Sequence, residues 1–461
     1  MKSVKILLVS ILSISLYSCE KYLDIKTQSQ QVFIKTSKDC QALLNDYSTL
    51  NLNFPSDGTA SDDDHFITDN SYVSSALTQE DRDFYRWQAT AQRASATNQW
   101  TRTYKKIYVT NLILETLDNL TDNPDKATLD GLRGAALFFR AFSFWQIAQL
   151  YSMAYFSNTA EQNLGIPIHL SSDINEVSFR NTIKQTYDRI VADLHEASLL
   201  LPNTSQVSSS PSKAAAEAML ARVYLSMGEY SLALSSASSA LQIKNQLIDY
   251  NTVSRTSNTP FSRFNNEVIF HAVMVGSPLL NSAVTAQNIS KVSPVIVASY
   301  DINDLRKLIF LKAVAGSPGN FTFTGNYEPT TNGTLFIGLA VDELYLIRAE
   351  CYARTGNVNS AMDDLNTLLR KRWLTGTYID IAASSEDDAL AKILLERRKE
   401  LLMRGLRWTD LKRLNNDTRF KIDLTRTVQG TQYTLPANDL RYALLIPKEV
   451  IINSPIVQNM R

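Results

Sequence analysis

Residues 342–369 read DELYLIRAECYARTGNVNSAMDDLNTLL, and the placing of Ala349, Tyr352, Gly356 and Ala361 within them decides the fold. Residues 213–241, KAAAEAMLARVYLSMGEYSLALSSASSAL, repeat that placing as Ala221, Tyr224, Gly228 and Ala233. Small residues let two antiparallel helices approach, and the Tyr fills the gap between them. Gly, free to take a left-handed conformation, ends the first helix.

A recurring unit of this kind predicts tetratricopeptide-like pairs. The expected fold class is mainly α: a tetratricopeptide-like helical-repeat scaffold with long irregular insertions carrying a few short strands. Helical pairs are expected over about 93–201, 211–244, 340–373 and 386–414, within one domain spanning 38–461. Trp100, Tyr104, Ile107, Tyr108 and Asn111 follow the helical period until Asp122-Asn123-Pro124 breaks it. A second helix is expected over 129–151 and a third over 181–201, pairing with each other across an inserted loop. Ser210-Pro211 predicts the next start, and Ser385 with Asp388 a capping box before a helix that Gly405 ends. A first helix is expected at 38–52. Residues 53–92 and 242–338 lose the period, and loops of such length inside a domain are commonly functional. Strands are expected at 267–275, 321–324 and 444–447, the last followed by an irregular tail.

Lys2 and Lys5 precede an apolar run over 6–16 that is too short to span a bilayer as a helix, so 1–18 reads as a secretory signal. Leu16-Tyr17-Ser18-Cys19 resembles a bacterial lipobox, which predicts lipidation at Cys19 and a tether over 19–37. Acyl chains there would hold the protein on a membrane without crossing it. The 46 basic and 46 acidic residues balance, leaving no electrostatic footprint for nucleic acid. Cys40 and Cys351 fall within apparent helices and read as buried thiols.

No catalytic signature is present: no P-loop, no G-x-S-x-G and no H-E-x-x-H. We therefore expect no catalytic residue, no cofactor and no metal. His65, His169, His195 and His271 are isolated, and His195 reads as a satisfied or surface histidine. Asp62-Asp63-Asp64 reads as a solvated acidic turn, since it lacks a calcium-loop spacing. Glu396-Arg397-Arg398-Lys399-Glu400 reads as a salt-bridged helix end, with Glu400 placed to pair with Arg404 and Arg404 to lie over Trp408. The aromatics of the long segments suggest a stacking patch for a sugar: Tyr72, Trp87, Tyr300 and Tyr327, with Asp64 and Asn70 bonding hydroxyls. Tyr85 belongs to the same set.

The Cys19 lipobox with Tyr22-Leu23-Asp24, Trp100-x-x-x-Tyr104-x-x-Ile107-x-x-x-Asn111, Arg140-Ala141-Phe142-x-Phe144 and Gly165-Ile166-Pro167 resemble the SusD/RagB family of Bacteroidetes. So do Asp342-Glu343-x-Tyr345-Leu346-x-Arg348-Ala349-Glu350, Glu396-Arg397-Arg398-x-Glu400-Leu401, Arg407-Trp408-x-Asp410-Leu411-Lys412-Arg413 and Ile446-Pro447-x-Glu449. The resemblance implies a surface-exposed outer-membrane lipoprotein that binds a nutrient, most often an oligosaccharide, and lids a TonB-dependent transporter similar to SusC. The scaffold would pack on the transporter, and the irregular segments would form the ligand site. Two other readings stand beside it: a peptide-binding member of such a system, and a glycosidase with paired carboxylates.

Overall fold

The computed structural model describes residues 34–95, 99–285 and 287–461; the leader over 1–18, Cys19 and most of the tether lie outside them. Two helices form where one is expected, α1 (Ser37–Leu44) and α2 (Tyr47–Leu50). The division falls at Asp46, whose carboxylate accepts the Thr49 N–H and starts a new helix. The next segment is more ordered than its lost period suggests, holding α3 (Asp57–Ser61), β1 (His65–Phe66), α4 (Asp69–Tyr72) and α5 (Gln79–Tyr85). Thr68 and Thr78 cap the last two helices.

The scaffold begins with α6 (Trp100–Leu117), α7 (Lys126–Tyr151), α8 (Ile183–Leu200), α9 (Lys213–Met227) and α10 (Tyr230–Ile243), each packed on the next. The pairing of α7 with α8 across the inserted loop is as predicted. Buried Arg140 on α7 donates to Asp193 on α8 at 2.7 and 2.8 Å and to Asn111 on α6 at 3.0 Å, clamping three helices together. Ser212, not Ser210, caps α9, through the Ala215 N–H.

Beyond α10 the chain leaves the repeat. It forms β2 (Val268–Phe270), β3 (Lys291–Val292), α11 (Pro294–Ser299), α12 (Arg306–Phe310), β4 (Leu311–Ala313), β5 (Phe321–Phe323) and β6 (Leu339–Ala340). Antiparallel pairing joins β2 to β6, β4 to β5, and β3 back to β1. All three residues of β2 are buried, which is why its sequence is apolar without alternation.

The repeat resumes with α13 (Val341–Arg354), α14 (Val358–Leu369), α15 (Glu386–Glu400) and α16 (Arg407–Leu414), and α13 docks on α10. The two matched units close alike. Gly228 and Gly356 have φ of +80° and +84°, and the next N–H, of Glu229 or Asn357, bonds to the carbonyl of Tyr224 or Tyr352 at 3.0 or 2.8 Å. Ala221, Ala233, Ala349 and Ala361 are fully buried, as close helix approach requires. At α15 the expected capping box is half formed: Ser385 caps Asp388 N–H, but the Asp388 carboxylate takes the N–H of Ser384.

The C-terminal part departs from expectation. A hairpin of β7 (Leu424–Val428) and β8 (Thr431–Leu435) turns through Gln429 and Gly430, both left-handed at φ +49° and +76°. Residues 444–447 are extended without joining a sheet; Leu444 N–H bonds to Leu150 O instead. A short helix, α17 (Lys448–Asn453), stands where an irregular tail is expected.

Candidate functional site

The pairing of β1 with β3, His65 opposite Val292 and Phe66 opposite Lys291, joins the two long irregular segments. An open cavity of about 430 Å³ lies at the seam. Phe66 and Ile67 of the first segment, Ser293–Val295 of the second, Arg398 of α15 and residues 422–427 line it. Alternation along β1 buries His65 and leaves Phe66 half-buried at the wall. Alternation along β7 buries Leu424, Arg426 and Val428 and exposes the hydroxyls of Thr425 and Thr427. Val295 and Ile422 are exposed apolar rims, at 70% and 42%.

Beneath the cavity is an ionic floor. Asp63 accepts from Arg407 at 2.7 and 3.0 Å and from Arg398 at 2.9 Å, while Arg398 also reaches Asp64 at 3.0 Å. Burial works to raise the Asp63 pKa, but the two guanidinium groups hold it at about 2. Asp62 and Asp64 are driven the other way by burial, to about 7. Burial, then the charge of Arg426, pushes His65 down to about 3, so it is neutral. Neither His65 ring nitrogen has a hydrogen-bond partner among the described residues. Arg426 lies 4.0 Å over the Tyr85 ring and 4.4 Å over the Trp87 ring, and donates to the carbonyls of Tyr85 and Asp62. The acidic run is therefore a buried, arginine-bound turn and not a solvated one.

The structure brings the two segments together but turns their aromatics inward. Trp87 is 4% exposed and donates its Nε1–H to Ser61 O at 2.8 Å. Tyr300 is buried with its hydroxyl on Lys399 O at 2.8 Å, and Tyr327 is buried with its hydroxyl on Glu267 at 2.5 Å. Tyr72 is buried under Arg82 and Arg86. Asp64 is buried on Arg398, and Asn70 is exposed on α4. The stacking patch expected of these rings is thus replaced by core packing, because each polar tip finds a partner inside or an arginine covers the face.

The helix-end cluster is salt-bridged, with different partners from those expected. Glu400 takes Arg306 and Arg372 instead of Arg404. Arg404 pairs with Asp342 at 3.1 Å and lies 4.0 Å over Tyr327, not Trp408. His195 is satisfied by Tyr224 at 2.8 Å, and Cys40 and Cys351 are buried free thiols. Among the described residues no three His, Cys, Asp or Glu side chains are grouped to hold a metal ion, and no helix is long and apolar enough to cross a membrane. The wall residues Val295, Ile422, Thr425 and Thr427 carry no aromatic signal, and Phe66 is passed over by a search for Tyr and Trp. The hairpin had a signal, LTRTV-QG-TQYTL, in which alternation flanks a two-residue turn ending in Gly.

Residues 21–225 match the profile of a SusD-like family described as starch-binding associating with outer membrane, and residues 339–450 match that of the SusD family. A SusD-like protein P2 of Formosa agariphila is 22% identical over 372 residues, 68% of this chain and 71% of that one. A SusD superfamily protein from Bacteroides thetaiotaomicron superposes with a TM-score of 0.76 at 24% identity, over 92% of this chain and 100% of that one. A laminarin binding SusD-like protein superposes with a TM-score of 0.67 at 17% identity, over 92% and 99% of the two chains.

Proposed function

The chain belongs to the SusD/RagB family, and on that premise we propose that it binds an oligosaccharide in the seam cavity and delivers it to a SusC-like TonB-dependent transporter at the outer membrane. The observation that carries the reading is the seam itself. Phe66, Thr425 and Thr427 line one open cavity of about 430 Å³, while the imidazole of His65 stays buried behind it. The apolar C–H face of a sugar packs on the Phe66 ring, while its hydroxyls bond the threonines. The fold shared with a laminarin binding protein supports a glycan as the ligand.

Binding without turnover suits the carboxylates of this wall. Asp63 is kept ionised between two arginines and has no proton to lend, and Asp423 accepts the Ala437 N–H at 2.7 Å. Phe66→Ala is expected to weaken oligosaccharide binding by about 1–2 kcal/mol, the loss of a partly buried aromatic contact. Calorimetric titration against a glycan panel, with circular dichroism as the folding control, measures it. Equal affinities would remove Phe66 from the site, and binding of neutral peptides but of no glycan would move the reading to a peptide carrier.

Cys19 supplies the lipid anchor in this reading. Cys19→Ala is expected to abolish fatty-acid labelling and release the protein from membranes, because acyl burial supplies the anchoring energy. Label persisting in the variant would end the lipoprotein assignment.

A further inference from the structure

A second cavity, of about 370 Å³, shares no lining residue with the seam cavity. One wall is α6, where Trp100, Tyr104 and Tyr108 follow one another at one-turn intervals; this ladder is about 12 Å long from the helical rise. The other wall is the segment carrying His169, Asp173, Ile174 and Glu176, and Val450 and Ile456 also line the cavity. The rings of Trp100 and Tyr104 are 4.8 Å apart and inclined at 33°. The Tyr104 hydroxyl is held by Pro167 O at 2.9 Å. Tyr108 is 40% exposed, and its hydroxyl has no partner among the described residues.

The charges of this groove have one sign. Asp173 and Glu176 contribute carboxylates, and among the described residues no Lys or Arg lines the cavity. Lys105 lies outside the lining, and the Arg180 guanidinium is spent on the carbonyls of Tyr151, Leu164, Gly165 and Val457. His169 bonds Ser178 through Nε2 at 2.8 Å and stands 3.6 Å from Glu176 through Nδ1. Asp173 accepts from the Asn175 N–H and side-chain amide at 2.8 and 3.0 Å, and neither carboxylate is paired with a Lys or Arg among the described residues. Aromatic faces beside such carboxylates attract a cation, through the ring quadrupole and the charge together. Trp100 is 7% exposed and in contact with the inclined Tyr104 ring, which leaves no broad flat face for a pyranose, whereas a narrow alkyl stem can lie along the accessible parts of Tyr104 and Tyr108.

We propose that this groove is an interaction surface for a basic polypeptide segment, which lays Lys or Arg stems along Tyr104 and Tyr108 and sets their charges against Asp173 and Glu176. This goes beyond glycan binding in the seam cavity and does not rest on it.

Calorimetry of the full chain with a short Gly/Lys peptide, its Nε-acetylated twin and a glucosamine tetramer tests the assignment. The lysine peptide is expected to bind about tenfold tighter than the acetylated one, a preference that fades at high salt. Tyr108→Ala and Glu176→Gln, both at solvent-accessible positions, are each expected to weaken the lysine peptide about fivefold, while Phe66→Ala leaves it unchanged. Equal or absent binding of the two peptides would overturn the proposal. So would a stronger response to the glucosamine tetramer, wild-type affinity in both groove variants, or loss of binding in Phe66→Ala, which would place the peptide in the seam cavity.

Discussion

Glu400→Ala is expected to lower the free energy of unfolding by about 3–5 kcal/mol, the cost of leaving buried charges without their partner. Glu400 is fully buried and serves two arginines at once: Arg306 Nη1 at 3.0 Å and Arg372 Nε at 2.7 Å. Arg306 also bonds Asp304, and Arg372 also bonds Glu267, which in turn receives the Tyr327 hydroxyl. The insertion supplies Asp304, Arg306, Glu267 and Tyr327; the scaffold supplies Arg372 and Glu400. The network is therefore the ionic clip between the two. Its charges cost desolvation in every pairing, so their worth appears when one is removed and the others stay buried. Glu400→Gln, which keeps two polar groups in place, is expected to lose less than the alanine variant. Urea denaturation measures both, and a loss below about 1 kcal/mol for Glu400→Ala would show that water reaches the arginines.

The same division marks what could be read from sequence. Each scaffold unit is decided by residues within one stretch, such as Ala349, Tyr352 and Gly356, and helix geometry links them by simple spacing. The insertion folds into strands of two or three residues, too short to display a period. The candidate site is harder still, because Phe66, Ser293, Arg398 and Thr425 come from four separate stretches and meet only through the β1–β3 pairing and the hairpin. The buried aromatics show a different difficulty. Trp87 in a polar stretch looks like a presented ring until Ser61 O is found to take its N–H, and no local pattern forecasts that partner. Family motifs such as Asn111 and Arg140 prove to be scaffold chemistry, through the clamp on Asp193.

Gly338→Ala is expected to destabilise the fold by about 3 kcal/mol, at the upper end of what overpacking costs. In sequence Gly338 is only the last residue of the irregular segment 242–338. In the structure it passes so close to β2 that a Cβ would stand 2.0 Å from Phe270 O and 2.7 Å from the Phe336 ring. The main chain around it has little freedom to retreat. Arg222 of α9 grips the carbonyls of Ile337 and Gly338 at 3.3 and 2.5 Å, and is itself paired with Glu343 of α13 at 2.6 Å. On either side, Ile337 N–H bonds Ala272 O at 2.9 Å and Val341 N–H bonds Glu267 O at 3.0 Å. A methyl group must then push apart the junction that ties β6 to β2 and, through Arg222, to two scaffold helices. Gly376→Ala separates this steric cause from backbone strain: Gly376 has φ of +80° but nothing within 4 Å of its Cβ position, so only about 1 kcal/mol is expected there. Thermal and urea unfolding of the two variants decide the matter, and a Gly338→Ala loss no larger than that of Gly376→Ala would mean that the β2–β6 junction yields.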